Sequence, residues 1–369
     1  WMSMLVLGYM SGTSLDGVDA ALIETDGDRI GRLDACFLSP FSDAERAVIE
    51  RATADALAWN GHGEPPSSFV TAEEIVHDVH VRAGREAIER AGRAPELIGF
   101  HGQTVLHRPE RRVTVQIGDA ARLADAMAVP VIADLRRADI EAGGQGAPIV
   151  PVYHRALMEM LGLAGPIAFL NLGGVANLTF IGADGELVAC DTGPANGLID
   201  QLVQAHGMGR YDDGGRLAAA GTVQGPALAA LLDHPHFRAS GPRSLDRYDF
   251  PLDWAAGYSL PDALATLVAF TAEAVAVAAR RLPTAPALWI LCGGGCHNPV
   301  LVAALRDRLG ACRTTDDLGI GGDFVEAQAM GYLAARSVRG LPMTFPGTTG
   351  TPNPLPGGVR YDAGRCSVA

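Results

Sequence analysis

Apolar stretches over residues 4–10, 17–25 and 32–38, each closed by a short polar or glycine-bearing turn, predict three strands in a meander. Helical spacing of apolar positions follows over 43–58 and 67–92. Short β-like runs then occupy Leu97 to Phe100, Val113 to Ile117 and Val129 to Ala133, with a helical pattern at Asp119 to Met127. At Ile167 the pattern starts again. Ile167 to Leu172, Val175 to Ile181 and Leu187 to Cys190 read as a second meander, followed by helices near 195–206, 222–233 and 261–282. Strand Ala287 to Cys292, helix Asn298 to Leu309 and helix Phe324 to Arg339 complete the second half.

A βββαβαβα order given twice describes two ribonuclease-H-like α/β domains related by a pseudo-twofold, with a ligand expected in the cleft between them. The pattern places an N-terminal domain at 1–140 and a C-terminal domain at 141–369. At 369 residues the chain is long enough for two cores. The most apolar helix, Pro261 to Leu282, has the length of a membrane span, but Asp262, Thr266, Thr271 and Glu273 interrupt it, so a buried interdomain helix is expected. The apolar run at the N-terminus has no basic region before it and is too short for a signal peptide. Neither membrane association nor secretion is expected.

Composition narrows the chemistry. All 29 basic residues are arginine, which excludes enzymes whose mechanism needs a phosphate-loop, kinase-strand or Schiff-base lysine. Phosphate must then be held by backbone amides, hydroxyls, magnesium or arginine. A net charge of −13 without a basic run argues against nucleic acid as a partner. Cys36, Cys190, Cys292, Cys296, Cys312 and Cys366 lack metal-binding spacing and read as reduced thiols, which suits the cytoplasm.

Three glycine turns stand out. The first, Gly12-Thr13-Ser14-Leu15-Asp16-Gly17-Val18-Asp19, joins two predicted strands and offers backbone N–H groups, hydroxyls and carboxylates to a nucleotide phosphate. Gly173-Gly174, with Asn177 close behind, joins the corresponding strands of the second half. Gly293-Gly294-Gly295 lies between a strand and a helix, as an adenosine-binding turn would. Asp191 ends a strand ahead of Thr192-Gly193-Pro194, where a carboxylate serves either as a base or as a helix cap. His101, Gln103 and Thr104 place three polar side chains at a strand end, where they serve either sugar contact or a hydrogen-bonded turn. Arg136 and Arg137 follow another strand, where a guanidinium could pair with a carboxylate or with Asp134 and Asp139. His234-Pro235-His236 reads as a surface turn.

Met10 to Asp19, His101-Gly102-Gln103-Thr104, Gly143 to Pro148, Asn171-Leu172-Gly173-Gly174 and Asp191 to Asn196 together resemble the anhydro-N-acetylmuramic acid kinases of the sugar kinase, Hsp70 and actin superfamily. The similarity runs in order through nearly the whole chain. It implies an actin-like ATPase fold and an ATP- and Mg²⁺-dependent kinase that opens an intramolecular amino-sugar glycoside with water and phosphorylates O6. Asp191 is then the base. The first two glycine turns flank the phosphates, and Glu326 supports substrate or closure. His101, Gln103, Thr104, Arg136 and Arg137 contact the sugar. The wider superfamily has an Asp where this chain has Met10, so Asp16 or Asp19 is expected to supply that carboxylate, Asp19 reaching magnesium through water. A homodimer is implied by the resemblance alone. A nucleotide-driven clamp without chemistry, or a kinase for an ordinary hexose, would use the same fold.

Overall fold

The computed structural model describes residues 2–238, 245 and 250–364. Cys366 therefore lies outside the described residues. The described strands are β1 Met4–Ser11, β2 Gly17–Thr25, β3 Ile30–Pro40, β4 Leu97–Arg108, β5 Val113–Ile117, β6 Val131–Ala133, β7 Ile167–Leu172, β8 Val175–Ile181, β9 Leu187–Pro194, β10 Leu288–Cys292, β11 Cys312–Thr314 and β12 Val359–Tyr361. They form two sheets in two compact units. One unit comprises Trp1–Gly162 and Phe324–Ala369; the other is Leu163–Asp323.

In the first unit the sheet order is β12-β6-β4-β1-β2-β3, with β5 added to β4. The β1–β2–β3 meander is antiparallel, and β4 runs parallel to β1 and β6. The core beneath it joins Leu7, Tyr9, Leu22 and Ile98 to helix Ser68–Ala91 through Val76 and Val79. Helix Asp43–Trp59 starts where the sequence offers a capping box: Ser42 accepts from the Glu45 N–H while Glu45 accepts from the Ser42 N–H.

The second unit repeats the plan. Its sheet runs β11-β10-β7-β8-β9, with β7–β8–β9 antiparallel and β10 parallel to both β7 and β11. Each sheet is thus a three-strand meander whose first strand carries two further parallel strands on its other side. The apolar helix Leu260–Ala279 is long enough to cross a membrane, yet its residues from Ala263 to Phe270 are buried within the second unit's own core. Thr271 Oγ1 donates to the Pro194 carbonyl at 2.9 Å, which ties that helix to β9.

The boundary expected at 140/141 is not the one observed. Residues 141–162 and 324–369 pack with the N-terminal unit. Helix Val325–Val338 presents a nearly unbroken buried face to β1, β2 and β4, and β12 pairs with β6, so the C-terminal segment completes the first sheet. Helices Arg137–Glu141 and Pro151–Met160 and strands β11 and β12 were not expected from the sequence. Arg137–Glu141, β11 and β12 are too short, at three to five residues, to show a period. β4 continues to Arg108 because the polar residues His101, Gln103 and Thr104 find partners inside the unit.

Candidate active site

In the first unit, the β1–β2 turn is tightened by Leu15 N–H donating to the Gly12 carbonyl at 3.2 Å, and Leu15 adopts φ 56° with its side chain buried. A Cβ on Gly17 would lie 2.3 Å from the Ser39 carbonyl oxygen, so this glycine serves β2–β3 packing. Val18 is also in the core. The side chains of Leu15 and Val18 and the missing Cβ of Gly17 therefore serve the fold. Thr13, Ser14 and Asp16 are exposed, Gly12 and Asp19 partly so, and a Cβ on Gly12 would meet only Ser14 Oγ, at 3.7 Å. Asp19 pairs directly across the hairpin with Met10. Cross-strand partners share a face, so the Asp19 carboxylate lies on the same face of the hairpin as the Met10 side chain.

Gln103 is fully buried and braces this turn: its Oε1 accepts from Ser11 Oγ, and its Nε2 donates to the Gly12 carbonyl at 3.3 Å. Thr104 Oγ1 accepts from Gln116 Nε2 at 3.1 Å. Both polar atoms of the Gln103 amide are engaged, so it positions the hairpin where direct sugar contact was expected. Ser11, which the sequence reading passed over, belongs to the same brace; its hydroxyl so close to the glycine turn was the available signal.

His101 is buried, with Nε2 accepting from Arg136 Nε at 2.8 Å and Nδ1 donating to the Gly102 carbonyl at 2.8 Å. Burial, reinforced by the Arg136 charge, pushes its pKa down to about 3, so the ring is neutral. Both nitrogens being taken, His101 holds Arg136 in place, and the direct sugar contact expected of it has no ring nitrogen to use. Arg136 also donates Nη1 to the Gly146 carbonyl at 2.6 Å, and its charge partly offsets the upward shift that burial gives Glu326. The Gly146 N–H in turn donates to buried Asp139, whose other oxygen accepts from Thr349. Arg137 instead pairs with Asp134 at 2.8 Å and keeps a side chain 62% exposed. A cavity of about 320 Å³ within this unit is lined by Glu73, His101, Gln116, Asp134, Arg137 and Tyr361.

Burial also depresses His80 to about 4 and His154 to about 3. An imidazole with a lowered folded pKa stays neutral in the fold but takes up a proton near pH 6.5 when the chain unfolds, so acid favours the unfolded state. Stability should therefore fall as pH drops from about 6.5 toward 4, by on the order of 1–2 kcal/mol for each of the three imidazoles at pH 5. Urea titrations at pH 7.5 and 5.0 give the comparison. Equal unfolding free energies would show that these rings are not buried neutral.

In the second unit, the carboxyl ends of β7, β9 and β10 carry the remaining groups. Gly173 and Gly174 accept from the backbone N–H groups of Asn196 and Ala195, both at 3.0 Å, so the β7–β8 turn sits against the start of helix Asn196–Ala205. Asn196 Nδ2 reaches the Leu172 carbonyl at 3.2 Å. Gly293 has φ 82° and a would-be Cβ only 2.3 Å from Asn171 Oδ1, while Gly295 is packed over Leu172. Gly294 is exposed, with nothing within 4 Å of its Cβ position. Ligands of open α/β sheets gather outside such strand ends.

Asp191 lies on β9 and is 8% exposed, with Oδ2 accepting from the Leu245 N–H at 2.7 Å. No side-chain cap closes the following helix, which removes the capping role considered for it. Its backbone carbonyl accepts from His236 Nε2 at 3.0 Å. His236 is buried against the strand that carries the carboxylate, so the expected surface turn at His234-Pro235-His236 is corrected; Phe237 and Phe250 draw the segment inward. Thr192 is bulged out of the β8–β9 ladder, which places Asp191 directly across from Asn177. The five described cysteines form no disulfide, and burial raises Cys36 and Cys312 to about 11 and Cys296 to about 12, so they are poor nucleophiles.

The family model for anhydro-N-acetylmuramic acid kinase matches residues 4–363. The enzyme of that name from Rhodopseudomonas palustris strain BisB18 is 48% identical over 365 residues, 96% of this chain and 99% of that protein. The one from Caulobacter vibrioides is 49% identical over 364 residues, covering 96% and 98%. Among solved structures, component A of the Acidaminococcus fermentans (R)-2-hydroxyglutaryl-CoA dehydratase matches 91% of this chain and 99% of its own with a TM-score of 0.46 at 11% identity. With a match through both sheets and every glycine turn described above, the chain belongs to the anhydro-N-acetylmuramic acid kinase family of carbohydrate kinases.

Proposed function

We propose that the protein uses ATP and water to convert 1,6-anhydro-N-acetylmuramic acid to N-acetylmuramic acid 6-phosphate and ADP, in the cytoplasmic recycling of cell-wall sugars. The observation that carries this is Asp191, a buried carboxylate oriented by Leu245 at the same strand ends as the Gly173-Gly174 and Gly293 to Gly295 turns. A carboxylate in that position takes the proton from water as its oxygen bonds to C1. The C1–O6 bond breaks, O6 bonds to the γ-phosphorus, and ADP leaves, so one base drives both displacements.

In the first unit, Thr13, Ser14 and the backbone at Gly12 are exposed or partly exposed groups suited to phosphate; in the second, Gly173, Gly174 and Gly294 are the corresponding backbone groups. Among the described residues no three His, Cys, Asp or Glu side chains gather as a metal site. That fits magnesium, which takes one or two carboxylates and fills its shell with water and phosphate oxygens; Asp16 and Asp19 are the carboxylates for it. When bound it neutralises charge on the transferring phosphoryl group.

ADP release measured with the anhydro sugar, glucose and N-acetylglucosamine tests the reading. Turnover with the anhydro sugar alone is expected, with ¹⁸O from labelled water appearing on C1. Turnover of the free sugars without the anhydro sugar would overturn it.

The lactyl carboxylate of the substrate needs a cation, and Arg137 suits it: the Asp134 pair it must exchange is exposed and individually weak. Arg137→Ala should lower kcat/KM for the muramic substrate by roughly 1–3 kcal/mol and leave an anhydro-N-acetylglucosamine analogue nearly unaffected. Arg136→Ala should affect both substrates alike, because it releases His101 and the Gly146 loop. Equal losses on both substrates in Arg137→Ala would assign that residue to structure.

A further inference from the structure

The cavity of about 320 Å³ in the first unit has the size of a small-ligand site, and its wall is rich in acceptors. Glu73, on helix Ser68–Ala91, lines it and accepts the Gly118 N–H through Oε1 at 3.2 Å, which leaves Oε2 without a partner among the described residues. Gln116 lines it too. Its Nε2 donates to Thr104 at 3.1 Å and to Thr114 at 2.8 Å, so both amide hydrogens are committed and the amide oxygen is what remains. Both side chains are partly exposed, and neither oxygen is among the polar atoms closed off from solvent. A ligand can therefore reach them. Asp134, by contrast, is engaged by Arg137 and Tyr361, and Asp119 caps helix Ala120–Met127. Arg137 is the one cation among the described lining residues.

Such a wall suits a ligand that brings donors for Glu73 and Gln116 and a single anionic group for Arg137. The 1,6-anhydro sugar has its acetamido N–H, its 4-hydroxyl and its lactyl carboxylate. The apolar part of the wall tells the two donors apart. The Phe100 ring runs beside the peptide that Glu73 holds, since a Cβ on Gly118 would lie 2.5 Å from Phe100 Cζ, and Ala120 follows two residues on. In a trans amide the N–H and the acyl methyl group share one edge while the carbonyl points the other way. A hydroxyl has no such apolar companion. We propose that Glu73 accepts the acetamido N–H of the sugar while Phe100 and Ala120 seat its methyl group, so that Glu73 selects a 2-acylamino substrate. The inference rests on the function proposed above. No bond of the reaction is made or broken at Glu73; it holds C2, the ring carbon next to the C1 that water attacks.

Replacing the amide nitrogen by oxygen tests this with little change of shape. The 2-O-acetyl analogue of the anhydro sugar keeps the carbonyl and the methyl group but sets an ester oxygen, which can only accept, against the carboxylate. Wild-type protein should prefer the amide by about a hundredfold in kcat/KM, the scale of a lost hydrogen bond to a charged group. Glu73→Gln keeps an oxygen for the Gly118 N–H and turns an NH₂ group toward the cavity. Its preference for the amide should fall to within about threefold, with KM for ATP inside about twofold of wild type. Coupled ADP release reads both proteins on both sugars. A purely structural Glu73 would lower the two sugars in proportion, and a ratio unchanged from wild type in a folded Glu73→Gln variant overturns the assignment. A wild-type ratio near one overturns it without any variant. Wild-type protein that turns over neither sugar overturns the underlying function as well, so the two failures are distinct.

Discussion

Asp191→Asn should lower kcat by a hundredfold or more, about 2.7 kcal/mol in the barrier, while ATP affinity stays near wild type. The substitution keeps the shape of the side chain, and the amide oxygen can still accept the Leu245 N–H that Oδ2 accepts at 2.7 Å. What is lost is the ability to take a proton. His236 is unaffected, since it binds the backbone carbonyl of residue 191. Equilibrium binding of a non-hydrolysable nucleotide and single-turnover kinetics separate the two quantities. A variant that binds nucleotide and turns over at the wild-type rate would reduce Asp191 to an anchor for Leu245.

The second large effect concerns folding. A Cβ at Gly8 would lie 1.9 Å from the Ala327 carbonyl oxygen and 2.5 Å from the Gly331 nitrogen, both backbone atoms of helix Val325–Val338. Gly99 on the neighbouring strand meets the same helix, with its Cβ position 2.1 Å from the Met330 carbonyl. No side-chain rotation relieves a clash with backbone, so the helix must lift from β1 and β4. Gly8→Ala is expected to cost about 3 kcal/mol or more, at the upper end of overpacking penalties, and to lower Tm by roughly 6–12 °C. Gly225→Ala, at a position with nothing within 4 Å, serves as the control and should leave Tm near wild type. Equal melting temperatures for the two variants would show that the helix can yield.

Much of each sheet was legible because meanders bring sequence neighbours together. β1 to β3 and β7 to β9 are short-range pairings, and their apolar runs and glycine turns mark them locally. The partners of β6 and of helix Val325–Val338 were not legible. β12 lies more than two hundred residues from β6, and the helix could have covered either sheet on composition alone. The site divides in the same way. Asp191 and the glycine turns stand in recognisable motifs, whereas the use of His101 and Gln103 as braces depends on Arg136, Ser11 and Gly12, none of which is fixed by local spacing. His236 was misread because Pro235 marks a turn equally well whether that turn faces solvent or packs under two phenylalanines.

During synthesis the two units are not on equal terms. Leu163–Asp323 leaves the ribosome as one uninterrupted length, so its sheet and the helix Leu260–Ala279 are all in hand before any later residue is needed. The first unit begins earlier and finishes last. Until residue 338 has been made, β1 and β4 lack the helix that fits over Gly8 and Gly99, and until Tyr361 has been made, β6 has an open edge. A nascent chain therefore carries an unfinished sheet, with an exposed apolar face and an unpaired strand, through the whole translation of the segment inserted into it.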